Sequence, residues 1–207
     1  MKVAIGISGG VDSAVSALLL KQEGHDVLGI TMKLFEDETV DKMLDDAKKV
    51  CEEVGIKHLV LDLTKEFKEI VIDNFINSYK QGLTPNPCVL CNKHFKFGLL
   101  YEKAKELGYD YIATGHYVKI MNNNLYVCDN NKDQSYFLYG INKEILDKII
   151  FPLLSQEEKE YVCQTPWTEE IGKEMDRLVK ERIQIQAGQP VFGTVIIDCD
   201  LIVYLNI

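Results

Sequence analysis

The sequence predicts an α/β protein built on a doubly wound parallel sheet, with a short appendage at its C-terminal end. Three observations predict it. Over residues 1–115, short apolar runs alternate with amphipathic stretches at helical spacing. The connections are long enough for right-handed crossovers, which put helices on both faces of a parallel sheet. Gly24, Gly55 and Gly108 each close a helical stretch.

Lys2–Ile7 is the first strand, and it runs into Ser8-Gly9-Gly10. Asp12–Glu23 carries Val15, Leu18, Leu19 and Leu20 at helical spacing, and Asp26–Lys33 returns as a strand. Thr39–Val54 presents Val40, Met43, Leu44, Ala47, Val50 and Cys51 on one face. His58–Leu63 is the third strand and Phe67–Tyr79 the third helix. After the Pro-rich loop Gly82–Cys91 comes a helix over Lys93–Leu107 and a fourth strand at Tyr111–Thr114. The expected strand order is 3-2-1-4-5, and the expected core is Val3, Ile5, Val27, Leu28, Ile30, Leu59, Val60, Leu61, Ile112 and Ala113. Beyond Gly115 the pattern changes. Tyr117–Ile120 and Leu125–Cys128 flank an Asn-rich turn and predict a hairpin, and Lys143–Ile150 predicts a short helix. Farther on, only Thr168–Glu181 reads as helix-like and Val191–Ile207 as β-rich.

Composition narrows the function. The chain has 207 residues, 46% hydrophobic and 27% charged, the balance of a globular protein. Its net charge of −9 argues against a strongly basic nucleic-acid module, though not against a local basic patch. No apolar run reaches the ~18 residues of a membrane span. The N-terminal stretch is too short for a signal-peptide core. Six irregularly spaced cysteines without a secretion signal predict reduced thiols in the cytoplasm.

Two motifs carry chemistry. Ser8-Gly9-Gly10-Val11-Asp12-Ser13 lies between a strand and a helix. Glycines let the backbone approach phosphate oxygens, and the helix start offers free N–H groups. No Lys follows these glycines, so it is not a Walker loop. A bare strand-to-helix turn without a ligand is the bland alternative. The second motif is Thr84-Pro85-Asn86-Pro87-Cys88-Val89-Leu90-Cys91-Asn92. Cys91 is expected just ahead of a helix, with Lys93, His94 and Lys96 nearby, a setting that favours a nucleophilic thiolate. Half of a zinc site, a redox pair and two structural thiols compete with that reading. An iron–sulfur cluster is a further alternative, although it needs three or four ligands.

SGGVDS resembles the PP-loop of the N-type ATP pyrophosphatases, whose fold is that of the adenine-nucleotide α-hydrolases. Together with TPNPCVLCNKHFKFG, the stretches Ala113–Tyr117, Lys132–Leu138 and Phe151-Pro152-Leu153 make residues 1–155 similar to the MnmA family of tRNA-specific 2-thiouridylases. The resemblance implies ATP-dependent 2-thiolation of the wobble uridine (U34) of tRNAs for Lys, Glu and Gln, releasing AMP and pyrophosphate. It implies that Gly6, Ile7, Ser8, Gly9, Gly10, Val11, Asp12, Ser13, Met32 and Gly115 bind ATP, with Mg2+ assumed. It implies that Cys91 is the nucleophile or sulfur carrier. Asn86, Pro87 and Cys88 would meet the target base, and Lys132, Asp133 and Gln134 the tRNA. A sulfur-donor protein, such as a cysteine desulfurase or a sulfur relay, would supply the sulfur.

The chain departs from the family in two places. The family's second cysteine stands in a run like S-x-x-I-C-F, which is missing here. Cys163 and Cys199 are weak candidates for its role, and Cys88 is a third. Residues 156–207 are expected to form an atypical acidic tail in place of the family's central and β-barrel domains. Residues 151–207 hold 5 basic and 10 acidic side chains, whereas gripping tRNA needs Lys and Arg. A truncated or non-catalytic nucleotide-binding remnant, or another PP-loop sulfurtransferase, is the alternative reading.

Overall fold

A computed structural model describes residues 1–127 and 133–153, and beyond them the backbone of the short strands Pro166–Trp167, Ile196–Ile197 and Leu201–Ile202. The predicted helix Thr168–Glu181 lies outside the described residues, as do Lys132, Cys128, Cys163 and Cys199. The strands are β1 (Lys2–Gly6), β2 (Asp26–Lys33), β3 (Lys57–Asp62), β4 (Tyr111–Ala113), β5 (Lys119–Met121), β6 (Asn124–Tyr126), β7 (Ile149–Ile150) and β8 (Pro166–Trp167). The helices are α1 (Val11–Gln22), α2 (Glu38–Val54), α3 (Thr64–Phe67), α4 (Asp73–Lys80), α5 (Pro87–Cys91) and α6 (Leu100–Glu106).

Five parallel strands form the main sheet in the order β3-β2-β1-β4-β7, which matches the expected order 3-2-1-4-5. Successive residues of β1 point to opposite faces, so one strand feeds two cores. Val3 and Ile5 pack with Ala17 and Leu20 of α1 and with Ala47 and Cys51 of α2. Ala4 packs on the other face with Leu100 and Ala104 of α6 and with Leu138. Helices thus cover both faces of the sheet, the doubly wound arrangement.

Several details differ from expectation. The fifth strand is Ile149–Ile150, where the pattern predicts the end of a helix; a 3-10 turn over Lys143–Lys148 precedes it. Val60 is exposed and Leu59 and Leu61 are only partly buried, because β3 is the edge strand and has one pairing neighbour. In α1 the buried positions are Ser13, Ser16, Ala17 and Leu20, while Val15 and Leu18 face solvent. The short residues let α1 sit close to the sheet. The hairpin forms as β5 and β6, with Asn122 and Asn123 at φ 49° and 58°. Asn tolerates this left-handed conformation better than most residues. β8 adds a third strand to that hairpin.

Two helical stretches are wound loosely in their middles. Lys68–Ile72 joins α3 to α4 as a π-helix, and Asn92–Leu99 joins α5 to α6 in the same way. Among the described residues, no helix is long and apolar enough to cross a membrane.

Candidate nucleotide and thiol site

Chain order reverses between β1 and β4, and ligands of open α/β sheets bind in the crevice at the carboxyl ends of such a strand pair. A cavity of about 180 Å³ opens there. Its lining includes Gly6, Ile7, Ser8, Asp12 and Ser13 from the end of β1 and the start of α1, Thr31 and Met32 from β2, and Thr114, Gly115 and His116 after β4. Cys91, Lys96 and Gln134 complete the lining.

The loop after β1 is held by its own serines. Ser13 Oγ donates to the Gly10 carbonyl (2.9 Å), and the Ser8 N–H donates to Ser13 Oγ (3.3 Å). The N-cap of α1 is Gly10, which has no side chain to occupy the first-turn N–H groups. They remain available to an anion in the cavity, reinforced by the helix dipole. Thr31 Oγ1 donates to the Ile7 carbonyl (2.8 Å) and also lies 2.8 Å from His58 Nε2. Since the hydroxyl proton is committed to Ile7, His58 Nε2 is the donor in that second contact. Burial, and then the charge of Lys48, lower the pKa of His58.

Gly115 is in tight contact with α1. A Cβ there would stand 2.9 Å from the Asp12 carbonyl carbon and 3.0 Å from the Ser13 nitrogen. The loop after β4 therefore presses backbone to backbone on the first turn of α1. Tyr117 ties the same two elements together: its hydroxyl donates to Asp12 Oδ1 (2.9 Å). Its N–H donates to Gln134 Oε1 (3.0 Å), which draws residue 134 to the cavity rim.

His116 is fully enclosed, with Thr114 Oγ1 2.8 Å from Nδ1 and the rings of Phe97 and Phe151 beside it. Burial, then the positive charge of Lys96, push its pKa well below the ordinary histidine value. His116 is a neutral imidazole at neutral pH.

The cysteine loop differs from expectation in an instructive way. The helix begins at Pro87, not at Lys93. Proline fits the first helical position because its fixed φ suits a helix and its missing N–H has no intrahelical partner to lose there. Cys91 is therefore inside the helix, a full turn from its start. The terminal dipole fades within the first turn, so the expected activation of Cys91 by a helix start does not apply. Cys88 and Cys91 are both buried, at 5% and 4% exposure, and Cys91 lines the cavity. Among the described residues no three His, Cys, Asp or Glu side chains gather as a metal cluster. Cys88 and Cys91 offer two thiolates, short of the three or four a cluster needs.

The other expected residues divide. Gly9 and Gly10 shape the loop, Gly9 with φ 79°, and Val11 is exposed. Asn86 Nδ2 donates to the Tyr136 hydroxyl (3.3 Å), beside rather than within the cavity. Asp133 Oδ1 accepts from the Ser135 N–H (3.1 Å) and hydroxyl (2.6 Å), which shapes the turn that follows. Thr31, Lys96, Thr114 and His116 also line the cavity; the sequence marks Lys96 only as a cation near Cys91 and gives none of the four a place in the nucleotide site.

The family described as the tRNA methyl transferase HUP domain matches residues 1–174. The chain belongs to this family. A tRNA-specific 2-thiouridylase MnmA 1 of Fusobacterium nucleatum subsp. nucleatum is 50% identical over 154 residues, covering 74% of this chain and 41% of the relative. The tRNA-specific 2-thiouridylase MnmA of Clostridioides difficile is 44% identical over 197 residues, covering 87% of this chain and 53% of the relative. The chain spans about half the length of the curated relatives it matches. Among solved structures, the U34-tRNA thiolase NcsA of Methanococcus maripaludis with its [4Fe-4S] cluster aligns at 21% identity and a TM-score of 0.48, over 91% of this chain and 67% of that one. In this tRNA methyl transferase HUP domain, the matched residues contain the whole cavity described above.

Proposed function

We propose that this chain is the ATP-binding and sulfur-transferring part of a tRNA 2-thiouridylase, acting in the cytoplasm on the wobble uridine of tRNA. Residues 1–155 form its catalytic domain in this reading, and 156–207 a short atypical tail. One observation carries the proposal: a glycine-serine loop suited to phosphate and a buried cysteine line the same cavity.

Uracil's C2 oxygen is a poor leaving group. ATP changes that by adenylation: the C2 oxygen bonds to the α-phosphorus, pyrophosphate departs with the electron pair, and AMP becomes the leaving group at C2. The chain's own residues prepare the step. Ser8, Ser13 and the open N–H groups of α1 face the phosphates, Met32 and Gly115 border the nucleotide, and Mg2+ would accompany the triphosphate. The close approach at Gly115 fits a cradle that tolerates no extra carbon. The sulfur arrives as a persulfide on the second cysteine, or on Cys91 where Cys91 is the carrier. Its terminal sulfur attacks C2, breaking the C2–O bond and releasing AMP. The thiolate of the other cysteine then attacks the inner sulfur, breaking the S–S bond, freeing the 2-thiouridine and leaving a disulfide. Cys163 and Cys199 are weak candidates for the second cysteine, and Cys88 is a third. The target base leaves its stack to reach the cavity, meeting Asn86, Pro87 and Cys88. Lys132, Asp133 and Gln134 contact the tRNA, with the Lys, Glu and Gln isoacceptors as the expected substrates and a sulfur-donor protein as the partner.

The test is product analysis of ATP turnover with and without unmodified tRNA. Pyrophosphate and AMP formed only with tRNA are expected; ADP and phosphate would refute the reading. Cys91→Ser is expected to abolish thiolation while ATP binding persists, and full thiolation by that variant would remove Cys91 from the chemistry.

A further inference from the structure

The phosphate loop contains hydroxyls, backbone N–H groups and one carboxylate, Asp12, but no cation. A triphosphate carries several negative charges, and more negative charge gathers on the pyrophosphate as the α–β bond breaks. Without a side-chain cation, only backbone dipoles, hydroxyls and the accompanying Mg2+ would meet that charge, with Asp12 standing beside it. Among the described residues lining the cavity, Lys96 is the only Lys or Arg. We propose that Lys96 supplies the cation that the loop lacks, contacting the phosphate chain of ATP from the helical segment that joins α5 to α6. The inference rests on reading this cleft as an ATP site and assigns that site a catalytic residue.

Local winding brings Lys96 there. In an α-helix, residues three or four apart share a face, so Cys91 and Lys96, five apart, would diverge. In a π-helix the hydrogen bond runs i→i+5, and the looser winding brings residues five apart much closer to one face. Asn92–Leu99 is wound as a π-helix, and Cys91 and Lys96 both reach the cavity. Gly98 suits this winding: a Cβ there would stand 3.0 Å from the carbonyl of Lys93, five residues back. The same helical stretch thus brings both residues to the cavity.

Two further observations fit. Among the described residues Lys96 enters no ion pair, whereas seven other His or Lys contacts with carboxylates occur on the surface. Its charge is also felt within the cavity, because it is the second cause, after burial, of the lowered His116 pKa. His116 is thereby kept neutral beside Lys96 and does not add a competing cation. A preorganised ammonium facing developing phosphate charge is the usual form of electrostatic stabilisation.

The experiment compares ATP with adenosine, which shares the base and sugar but lacks the phosphates. Binding of each to the full chain is measured by calorimetry for the wild type, Lys96→Gln and Lys96→Arg. The expected result is that Lys96→Gln weakens ATP about tenfold, equivalent to about 1.4 kcal/mol, and leaves adenosine unchanged. Lys96→Arg keeps most of the ATP affinity, since the charge is preserved. Equal ATP binding by the wild type and Lys96→Gln would overturn the proposal while leaving the ATP site intact. Parallel loss of ATP and adenosine would also overturn it, by showing a structural role. If the wild type binds neither, the reading of the cleft as a nucleotide site falls, and this inference with it.

Discussion

Gly115→Ala probes the joint between the sheet and the phosphate loop. The new Cβ would stand 2.9 Å from the Asp12 carbonyl carbon, 3.0 Å from the Ser13 nitrogen and 3.1 Å from the Asp12 oxygen. Carbon contacts are comfortable at ~3.5–4.0 Å, so roughly half an ångström of separation has to be found. All three atoms are backbone, so no side chain can rotate away. Either the first turn of α1 moves, or the segment after β4 does. The second is restrained by the Thr114 N–H bond to the Ile150 carbonyl (3.4 Å) and by the Thr114–His116 contact (2.8 Å). Overpacking of this kind costs ~1–3 kcal/mol. The displaced turn carries Asp12 and Ser13, so ATP affinity is expected to fall about tenfold or more, in line with the sensitivity of aligned sites to small shifts. Urea unfolding measures the stability and calorimetry the affinity. Gly24→Ala is the control. Gly24 has φ 79°, so alanine there is strained, but no atom lies within 4 Å of its Cβ and the site is remote. That variant should lose stability and keep its ATP affinity. A Gly115→Ala protein as stable as the wild type and binding ATP equally well would refute the steric argument.

A Cβ on Gly29 would meet Cys51 Sγ at 2.6 Å, so Gly29→Ala should lower the urea midpoint and Gly29→Ala/Cys51→Ala should recover part of it; no recovery would locate the strain elsewhere. Burial also raises the Cys51 thiol pKa to about 11, so thiol-reactive probes at pH 8 should modify it only on unfolding. His116 is held below its ordinary pKa of 6.5 mainly by burial, and His58 and His94 are shifted the same way. The unfolded chain therefore binds more protons than the folded one as pH drops through 6.5, so stability is retained above that value and declines below it. His116→Gln should flatten this decline in a pH series of urea melts, and an unchanged slope would exclude His116 as a contributor.

Much of the fold was legible because it rests on local patterns. The alternation over residues 1–115 marks four of the five parallel strands, and their expected order comes with the resemblance to the adenine-nucleotide α-hydrolase fold. The exceptions have physical causes. Ile149–Ile150 is two residues long and is a strand only because β4 offers an open edge. Val60 looks like a core residue but sits on the edge strand β3. Proline signals in 84–87 mark a loop, yet Pro87 is also a suitable first helical residue, so the helix begins earlier than its apolar spacing implies. For the site, the Ser8–Ser13 loop and Cys91 were readable as motifs. Lys96 was readable only as a cation near Cys91, and His116 had no assigned role, since a lysine on a helix and a histidine after a strand are ordinary in sequence.

The sequence by itself determined the α/β class, the phosphate-type loop after β1 and the closely spaced pair Cys88 and Cys91, because each depends on residue type and short spacing. The tertiary structure alone decided which of these residues meet. Thr31, Gly115 and Lys96 come from elements far apart along the chain, and they converge because parallel strands align their carboxyl ends at one edge of the sheet. It also decided that residues 91 and 96 share a face. Helical spacing in the sequence cannot show this, since it depends on whether the backbone closes its hydrogen bonds after four residues or five.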